Sequence, residues 1–509
     1  MKKVLKNILA SALPQIMNII TNLILPTLII SRFGSEVNGL VSSTKVIVSY
    51  ISIVGAGIAT AVTQALYIPV AKGDNNTIKG MLHAANKMFN KFGVIYCIIA
   101  LIVAFVYPFS LDTNIRYITI VLLMVVMSIS GASEFFSIGR CRALLYANQK
   151  TYVCTVIQAA SLLGSLLLAL LMLKLEANIV IVQFAISFVY VFRAMFLTRY
   201  VRKSYPELND YREEKPINSA IEKRNDAMIH QLSGLAVTGS QTTILTLFVG
   251  LQAASVYSVY NIVFSGLQSI CANLSTAVTP FIGRELALNN RERLLKMYDL
   301  IEFAFFSLVA FIYSVTMIMI IPFINLYTRG ADINYIYPLF SAIFVLSSAF
   351  YILKMPSNSL INISGRFKET RWRAIFEAFL TVFLGIVFTY WTGLNGVVIG
   401  TGVALCWRCI DTIVYTNKYV LTCTNFKSLF RFFRVIVMIS LGWVIRSKIS
   451  VVVNSYWDWV KWSILFSLII ILIIVINSLL FDFKTIKELR NILTYSFEEY
   501  CKDKGEDKF

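Results

Sequence analysis

Apolar runs of about twenty residues follow one another from end to end of the chain, each long enough to cross a bilayer. Charged residues make up only 14% of the sequence and mean hydropathy is +0.72, where a soluble chain carries about 25% charge. The expected fold is therefore an all-α polytopic membrane protein. Hydropathy marks about fourteen transmembrane helices, near 8–31, 38–68, 88–108, 116–138, 152–173, 178–198, 227–249, 253–282, 299–321, 335–362, 373–391, 395–417, 430–446 and 461–481. The seventh and eighth are the weakest. Segment 227–249 holds His230, Gln231, Ser233, Thr238, Ser240, Gln241, Thr242 and Thr243, too many polar groups for a lipid-facing helix. It should line a cavity or pack inside a bundle.

The net charge of +19 could suggest nucleic acid, but its placement argues otherwise. With the N-terminus in the cytoplasm, inner links carry thirty-five of the forty-six Lys and Arg and outer links seven, while Lys45, Arg193, Lys354 and Arg408 fall within spans. This is the basic-inside bias of a multi-pass protein with both termini cytoplasmic. The basic start Lys2-Lys3 precedes an apolar run that continues past Ala10-Ser11-Ala12 to Ile30, so the first helix is read as uncleaved.

The chain also repeats itself. Shifting Phe33 to Ala71 by 216 positions lays it, without gaps, over Val249 to Ala287 with nine identities in thirty-nine, including Thr60-Ala61-Val62-Thr63 on Thr276-Ala277-Val278-Thr279. The same shift pairs Gln15 with Gln231, Thr27 with Thr243 and Lys150 with Arg366. Two equivalent halves follow, as in many transporters. The expected organisation is an N-lobe at 1–198, a cytoplasmic linker at 199–226, a C-lobe at 227–418, two extra C-terminal helices within 419–482, and a cytoplasmic tail at 483–509. Six helices per lobe is an even number, so the two six-helix lobes share one orientation and a pseudo-two-fold along the membrane normal. Pro14 and Pro26 in the first helix, and Gly55 and Gly57 in the long second, favour kinks or bends.

No enzymatic constellation appears. His83 and His230 have no metal-ligand spacing around them, Cys406 and Cys409 sit on an apolar helix, and no phosphate-binding glycine loop occurs, so neither cofactor nor metal is expected. Cys97, Cys154, Cys271, Cys406 and Cys409 fall in spans and Cys141, Cys423 and Cys501 in inner links, which implies no disulfide framework.

The chemistry left is charge in lipid. A cation at mid-membrane costs roughly 2.5–3.5 kcal/mol on insertion scales, so its presence asks for a function. Lys45 lies about two turns into the second span, and its repeat partner is Asn261; Lys354 lies in the tenth beside Asn358 and Asn362. Both lysines are read as cavity-lining. Arg193 and Arg408 sit near inner helix ends, where snorkelling to the surface competes with a cavity role, and Asp411 could pair with Arg408. Glu134, Glu302, Glu377 and Asp411 all lie towards the inner face, and the first helix has no carboxylate, so the middle is net cationic and suited to phosphate.

One turn and two further motifs carry a resemblance. Ser31-Arg32-Phe33-Gly34-Ser35-Glu36-Val37-Asn38-Gly39-Leu40, Gly55-Ala56-Gly57 with the Thr60–Thr63 run, and Ala147-Asn148-Gln149-Lys150 resemble Wzx-like oligosaccharide flippases, in the polysaccharide transporter family of the multidrug/oligosaccharidyl-lipid/polysaccharide exporter superfamily. The resemblance implies transport of a polyprenyl-pyrophosphate-linked oligosaccharide from the inner to the outer leaflet of a bacterial plasma membrane, by alternating access, for cell-surface polysaccharide biosynthesis. It fixes no binding residues. From the charge argument, Lys45, Lys354, Arg32, Arg193 and Arg408 are the candidate phosphate-binding cations, in a cavity between the lobes. Gln231, Gln241 and Asn261 are candidate sugar contacts. Membrane lipid and other polysaccharide-assembly proteins are the expected partners. A coupling cation or the membrane potential would drive the cycle, since one negative charge moving outward gains about 2.3 kcal/mol per 100 mV. The alternatives are a cation-coupled multidrug exporter of the same fold, which needs an embedded carboxylate, and a membrane enzyme acting on lipid-linked sugars.

Overall fold

The computed structural model describes residues 2–212, 214–217, 224–288, 290–449 and 451–488. The chain is helical, with no strand among the described residues. Fourteen helical segments correspond one for one to the fourteen expected spans. They are α1 (Lys2–Phe33), α2 (Ser35–Lys72), α3 (Asn75–Val106), α4 (Tyr117–Ser133) continued by α5 (Gly139–Ala147), α6 (Thr151–Lys174), α7 (Ile179–Ser204), α8 (Arg224–Phe248), α9 (Leu251–Ala287), α10 (Arg291–Tyr327), α11 (Pro338–Leu353) continued by α12 (Met355–Ile363), α13 (Phe367–Thr392), α14 (Leu394–Tyr415), α15 (Phe426–Lys448) and α16 (Tyr456–Phe481).

Among the described residues, eleven segments are long and apolar enough to cross a membrane by themselves, and α2 makes twelve if its two arms are taken as one span. The segments that fall short are α8 and α9, where the sequence is most polar. Several helices run beyond their apolar stretch: α3 begins at Asn75 and α10 at Arg291, and the fourth span continues through α5, so Cys141 lies in a helix and not in the link expected for it. Hydropathy detects only the lipid-soluble part of a helix, and a capped polar extension costs it nothing. The caps are present: Asp74 accepts from Thr77 N (3.1 Å) ahead of α3, and Asn290 accepts from Arg293 N (3.1 Å) ahead of α10.

Helix boundaries recur at the interval seen in the sequence. The starts of α2, α3, α5 and α6 and the end of α5 lie 216 positions before the starts of α9, α10, α12 and α13 and the end of α12. The turns recur as well. Gly34 (φ 86°) and Gly250 (φ 115°) both open the long second helix of their half, and Gln149 (φ 57°) and Gly365 (φ 72°) follow α5 and α12. The last pair closes each helix with the same two bonds: Lys150 N to Leu145 O (2.9 Å) with Gln149 N to Tyr146 O (3.0 Å), and Arg366 N to Ile361 O (3.3 Å) with Gly365 N to Asn362 O (3.2 Å). This 6→1 and 5→2 pattern demands a left-handed residue at the helix end, which explains why both halves place one there.

Two irregular turns meet in the first half. α2 bends by 45° between Ser35–Ile53 and Ile58–Lys72. Between α4 and α5 the helix widens into a π-turn over Glu134–Ile138. A Cβ on Gly55, inside the bend, would lie 2.9 Å from the Phe135 ring in the π-turn, so only glycine allows this approach.

By Cα proximity the chain forms two compact units, Met1–Ile262 with Gly330–Asn334 and Ala374–Val397, and Val263–Arg329 with Tyr335–Arg373 and Val398–Phe509. The core of the first joins α2, α3, the π-turn and α5 through Ile58, Val62, Leu66, Phe89, Tyr96, Phe135 and Leu144. In the second, Ile318 and Met319 of α10 pack on Phe466 and Ile470 of α16, and Trp459 Nε1 donates to Met319 O (3.1 Å). Of the tail expected at the inner surface, Phe483–Glu488 is helical, and residues 489–509, Cys501 among them, lie outside the described residues. In the linker, α7 ends at Ser204 and a short 3₁₀ turn spans Pro206–Leu208.

Candidate functional site

α2 carries the candidate Lys45, and its N-terminal end is built to stay in place. The Asp332 carboxylate accepts from Ser35 N (3.0 Å) and Ser35 Oγ (2.5 Å), neutralising the positive end of the helix dipole. Glu36 accepts from Thr113 Oγ1 (2.6 Å). One turn on, Asn38 Nδ2 donates to Ser255 Oγ (2.8 Å) and Ser258 Oγ (3.2 Å) on α9. Gly39 sits against the start of α9 so closely that a Cβ would be 1.8 Å from Leu251 O. The turn that carries the family resemblance is thus, in this chain, a joint between α2 and the first turns of α9.

Lys45 follows Asn38 by two helical turns on the same face, about 15 Å along α2 from Ser35. It is exposed, and its ammonium has no ion-pair or hydrogen-bond partner among the described residues; only its carbonyl is engaged, by Ser49 Oγ (2.9 Å). Ser42, Lys45 and Ser49 form a polar stripe, and their counterparts on α9 are Ser258, Asn261 and Ser265. Asn261 is half-buried.

The other candidate cations differ in setting. Arg32 is exposed and donates from Nη1 to Leu173 O (2.5 Å), so it caps the C-terminal end of α6. Arg193, half-buried on α7, holds a buried Nε with no hydrogen-bond partner among the described residues. Arg32 meets the end of α6 that precedes α7, whereas Arg193 lies fourteen residues into α7, about 20 Å further along, so the two cannot share one phosphate. Lys354 is buried at the junction of α11 and α12, with Nζ 4.6 Å from the Tyr351 ring centre. Arg408 is buried and donates to Asp411 (2.8 Å), whose other oxygen takes Arg373.

The glutamines of α8 also separate. Gln231 is exposed, whereas Gln241 is buried and donates from Nε2 to Val237 O (2.7 Å) on its own helix. Gly239 on α8 lies against the Tyr50 hydroxyl of α2, a Cβ there being 3.1 Å from it. α8 thus packs on α2, and of its polar groups Ser240, Gln241, Thr242 and Thr246 are buried. Lys45, Arg32, Arg193, Gln231, Gln241 and Asn261 belong to the first compact unit, Lys354 and Arg408 to the second.

Sequence reading missed an ionic cluster in the second unit. Arg431 of α15 donates to Asp299 (2.8 Å) and Glu302 (3.2 Å) of α10 and to Asp482 (2.7 Å) after α16. Arg434 pairs with Asp482 (2.6 Å), Lys427 with Asp299 (2.7 Å), and Ser428 donates to Glu302 (2.9 Å). The available signal was the spacing of Lys427, Arg431 and Arg434, which puts three cations on one helix face, facing Asp299 and Glu302 at i, i+3. Glu134 likewise pairs with Arg142 (2.6 Å). Glu134, Glu302 and Asp411 are all engaged by arginine, while Lys45 is not neutralised. No group of three His, Cys, Asp or Glu able to hold a metal occurs among the described residues.

No family model matches the chain, and no curated protein matches it. Solved structures do. The lipid II flippase MurJ in an inward closed conformation is similar with a TM-score of 0.69 at 12% identity, covering 94% of this chain and 98% of that one. A multidrug resistance MATE family transporter of the MOP superfamily, inward-facing, is similar with a TM-score of 0.65 at 14% identity, covering 81% and 97%. A MOP superfamily transporter from Pyrococcus furiosus gives 0.59 at 15%, covering 82% and 96%. The chain has that fold. It is a multi-pass membrane protein whose helices follow the arrangement shared by these flippase and multidrug structures.

Proposed function

We propose that the chain is a flippase that moves a polyprenyl-pyrophosphate-linked oligosaccharide from the inner to the outer leaflet of a bacterial plasma membrane by alternating access. The surface polysaccharide pathway would consume the product. The observation that carries this reading is the unneutralised Lys45 about a quarter of the way along α2, in a chain where Glu134, Glu302 and Asp411 are already paired. A cation held in a membrane span without a counter-ion is costly unless an anion visits it, and a pyrophosphate is such an anion. The lobes are taken as 1–198 and 227–418, with α15 and α16 appended, a division that the recurring helix boundaries support. Likeness to the lipid II flippase extends over 94% of the chain, against 81% for the multidrug transporter. Lys45 would hold the phosphates, with Asn261 and Gln231 offering hydrogen bonds to sugar.

The test is the initial rate of flipping of a fluorescent lipid-linked oligosaccharide in proteoliposomes. Loss of one charge-assisted contact is worth about 1.5–3 kcal/mol, so Lys45→Ala should slow flipping by roughly ten- to a hundredfold, with Lys45→Arg retaining most of the rate. A wild-type rate in Lys45→Ala removes this residue from the path. A second reading, a cation-coupled multidrug exporter, draws on the likeness to the MATE structure; drug resistance conferred on a sensitive host, with no flipping in vesicles, would favour it.

A further inference from the structure

We infer that the first compact unit holds a separate binding site for a phosphate ester, on the face that the charge bias assigns to the cytoplasm. A cavity of about 420 Å³ opens between α3, α5, the end of α7 and the connector that follows it. That is within the range of small-ligand pockets, about 300–1,000 Å³. Three arginines line it: Arg140 from α5, Arg202 from α7 and Arg212 from the connector. Asn209, Thr198 and Tyr205 supply the neutral polar lining.

Arginines at an inner helix end usually report topology and nothing more. Three features set this group apart. Arg140 is fixed, donating from Nη1 to Asn86 Oδ1 (2.5 Å) and to the Tyr211 hydroxyl while its guanidinium stacks 4.9 Å from the Tyr211 ring. None of the three arginines has a carboxylate within 4 Å among the described residues, although Glu207, Asp210 and Glu214 lie in the same connector. The Tyr205 hydroxyl is buried and makes no hydrogen bond among the described residues, with Lys150 Nζ 4.6 Å from its ring. The site therefore offers one guanidinium held by Asn86 and Tyr211 and two exposed arginines, the cationic donors that phosphate oxygens accept from.

The phosphate could belong to an anionic lipid headgroup or to a soluble phosphate ester, since the recognition chemistry is shared. The same helix also carries an exposed apolar row suited to acyl chains. Phe184, Phe188, Phe192 and Phe196 form an exposed row at i, i+4 spacing along α7, and at its Phe196 end this row lies on a different face of the helix from Thr198, Val201 and Arg202. The site involves none of the residues placed on the transport path.

Native mass spectrometry of the full-length protein in detergent, titrated with dioleoyl phosphatidylglycerol or with glycerol 3-phosphate, tests this. Arg202 and Arg212 are exposed, so R202Q/R212Q should fold, which helical content and thermal melting would verify; if the pair does not fold, each single variant is read in the same way. The control is K203Q, which removes an exposed charge next to Arg202 that does not line the cavity. Phosphatidylglycerol affinity should fall about tenfold or more in R202Q/R212Q and stay within about twofold in K203Q. If only glycerol 3-phosphate shows this pattern, the ligand is a soluble ester. If neither ligand separates the variants from the control, the site does not exist. Wild-type flipping by R202Q/R212Q would leave the transport reading standing whatever the binding result, and lost flipping in Lys45→Ala with lipid binding intact would leave this one standing.

Discussion

At the residue scale, two glycines separate two causes of constraint. Gly39 has no room: a Cβ would strike Leu251 O at 1.8 Å, so Gly39→Ala must push α9 away from α2 and break the Asn38 bonds to Ser255 and Ser258. Overpacking of this kind costs typically about 1–3 kcal/mol, and a backbone obstacle puts it at the upper end. Gly73 has space, with nothing within 4 Å, but its φ of 69° is left-handed, so Gly73→Ala should cost only the backbone term of about 1–2 kcal/mol. Thermal melting in one detergent should rank Gly39→Ala as the more damaging. Asp74, in the link after Gly73, is a titrating cap. Hydrogen bonds from the Thr77 side chain and backbone hold its carboxyl below the usual aspartate range. Its contribution is therefore complete above the unfolded value and lost as pH falls through the lower folded value. Amide-exchange protection of residues 76–79, taken relative to the intrinsic rate at each pH, should fall across that acid range in wild type and be low and independent of pH in Asp74→Ala. None of this was legible beforehand. Gly39 reads as one of several motif glycines, and only the close approach of α9 shows which function depends on it.

At the element scale, α15 and α16 read as an appendix without a counterpart in the repeat, while the structure ties them down by charge. Arg431 is buried with Asp299, Glu302 and Asp482 around it. Removing one partner of a buried ionic cluster strands the others, which costs about 3–5 kcal/mol, whereas removing both sides together costs far less. Arg431→Met should therefore melt well below wild type, and Arg431→Met with Glu302→Gln should recover part of the loss. Equal melting of the single and double variants would mean the cluster contributes no coupling. Helix positions were legible because apolar runs need no partner to be recognised. The ion pairs were not, because Arg431 and Asp482 are 51 positions apart and each looks like an ordinary inner-surface charge. The π-turn at Glu134–Ile138 leaves no trace in hydropathy at all.

At the scale of the whole molecule, the repeat was the most legible feature, since a constant offset survives even where identity is low. Its recurrence in caps and left-handed turns, down to the bonds at Lys150 and Arg366, shows that local backbone chemistry is duplicated along with composition. Lys45 stood out because a lone cation in an apolar run is conspicuous; the basic cavity at Arg140 did not, because its three arginines come from separate segments and only folding gathers them. Orientation can be checked directly. In a background with Cys423 and Cys501 replaced, a membrane-impermeant thiol reagent added to intact cells should label a cysteine at Asp112 and leave one at Glu207 unlabelled until the cells are broken. Labelling of both from outside would reverse or discard the basic-inside assignment.

The contact between Gly55 and Phe135 ties two departures from regular helix to each other. Because the aromatic ring rests where a side chain on the bent helix would otherwise stand, straightening that helix must either lift the ring or slide the wide turn along by a residue. The two distortions are thus packed on one another, and a side chain at position 55 would disturb both.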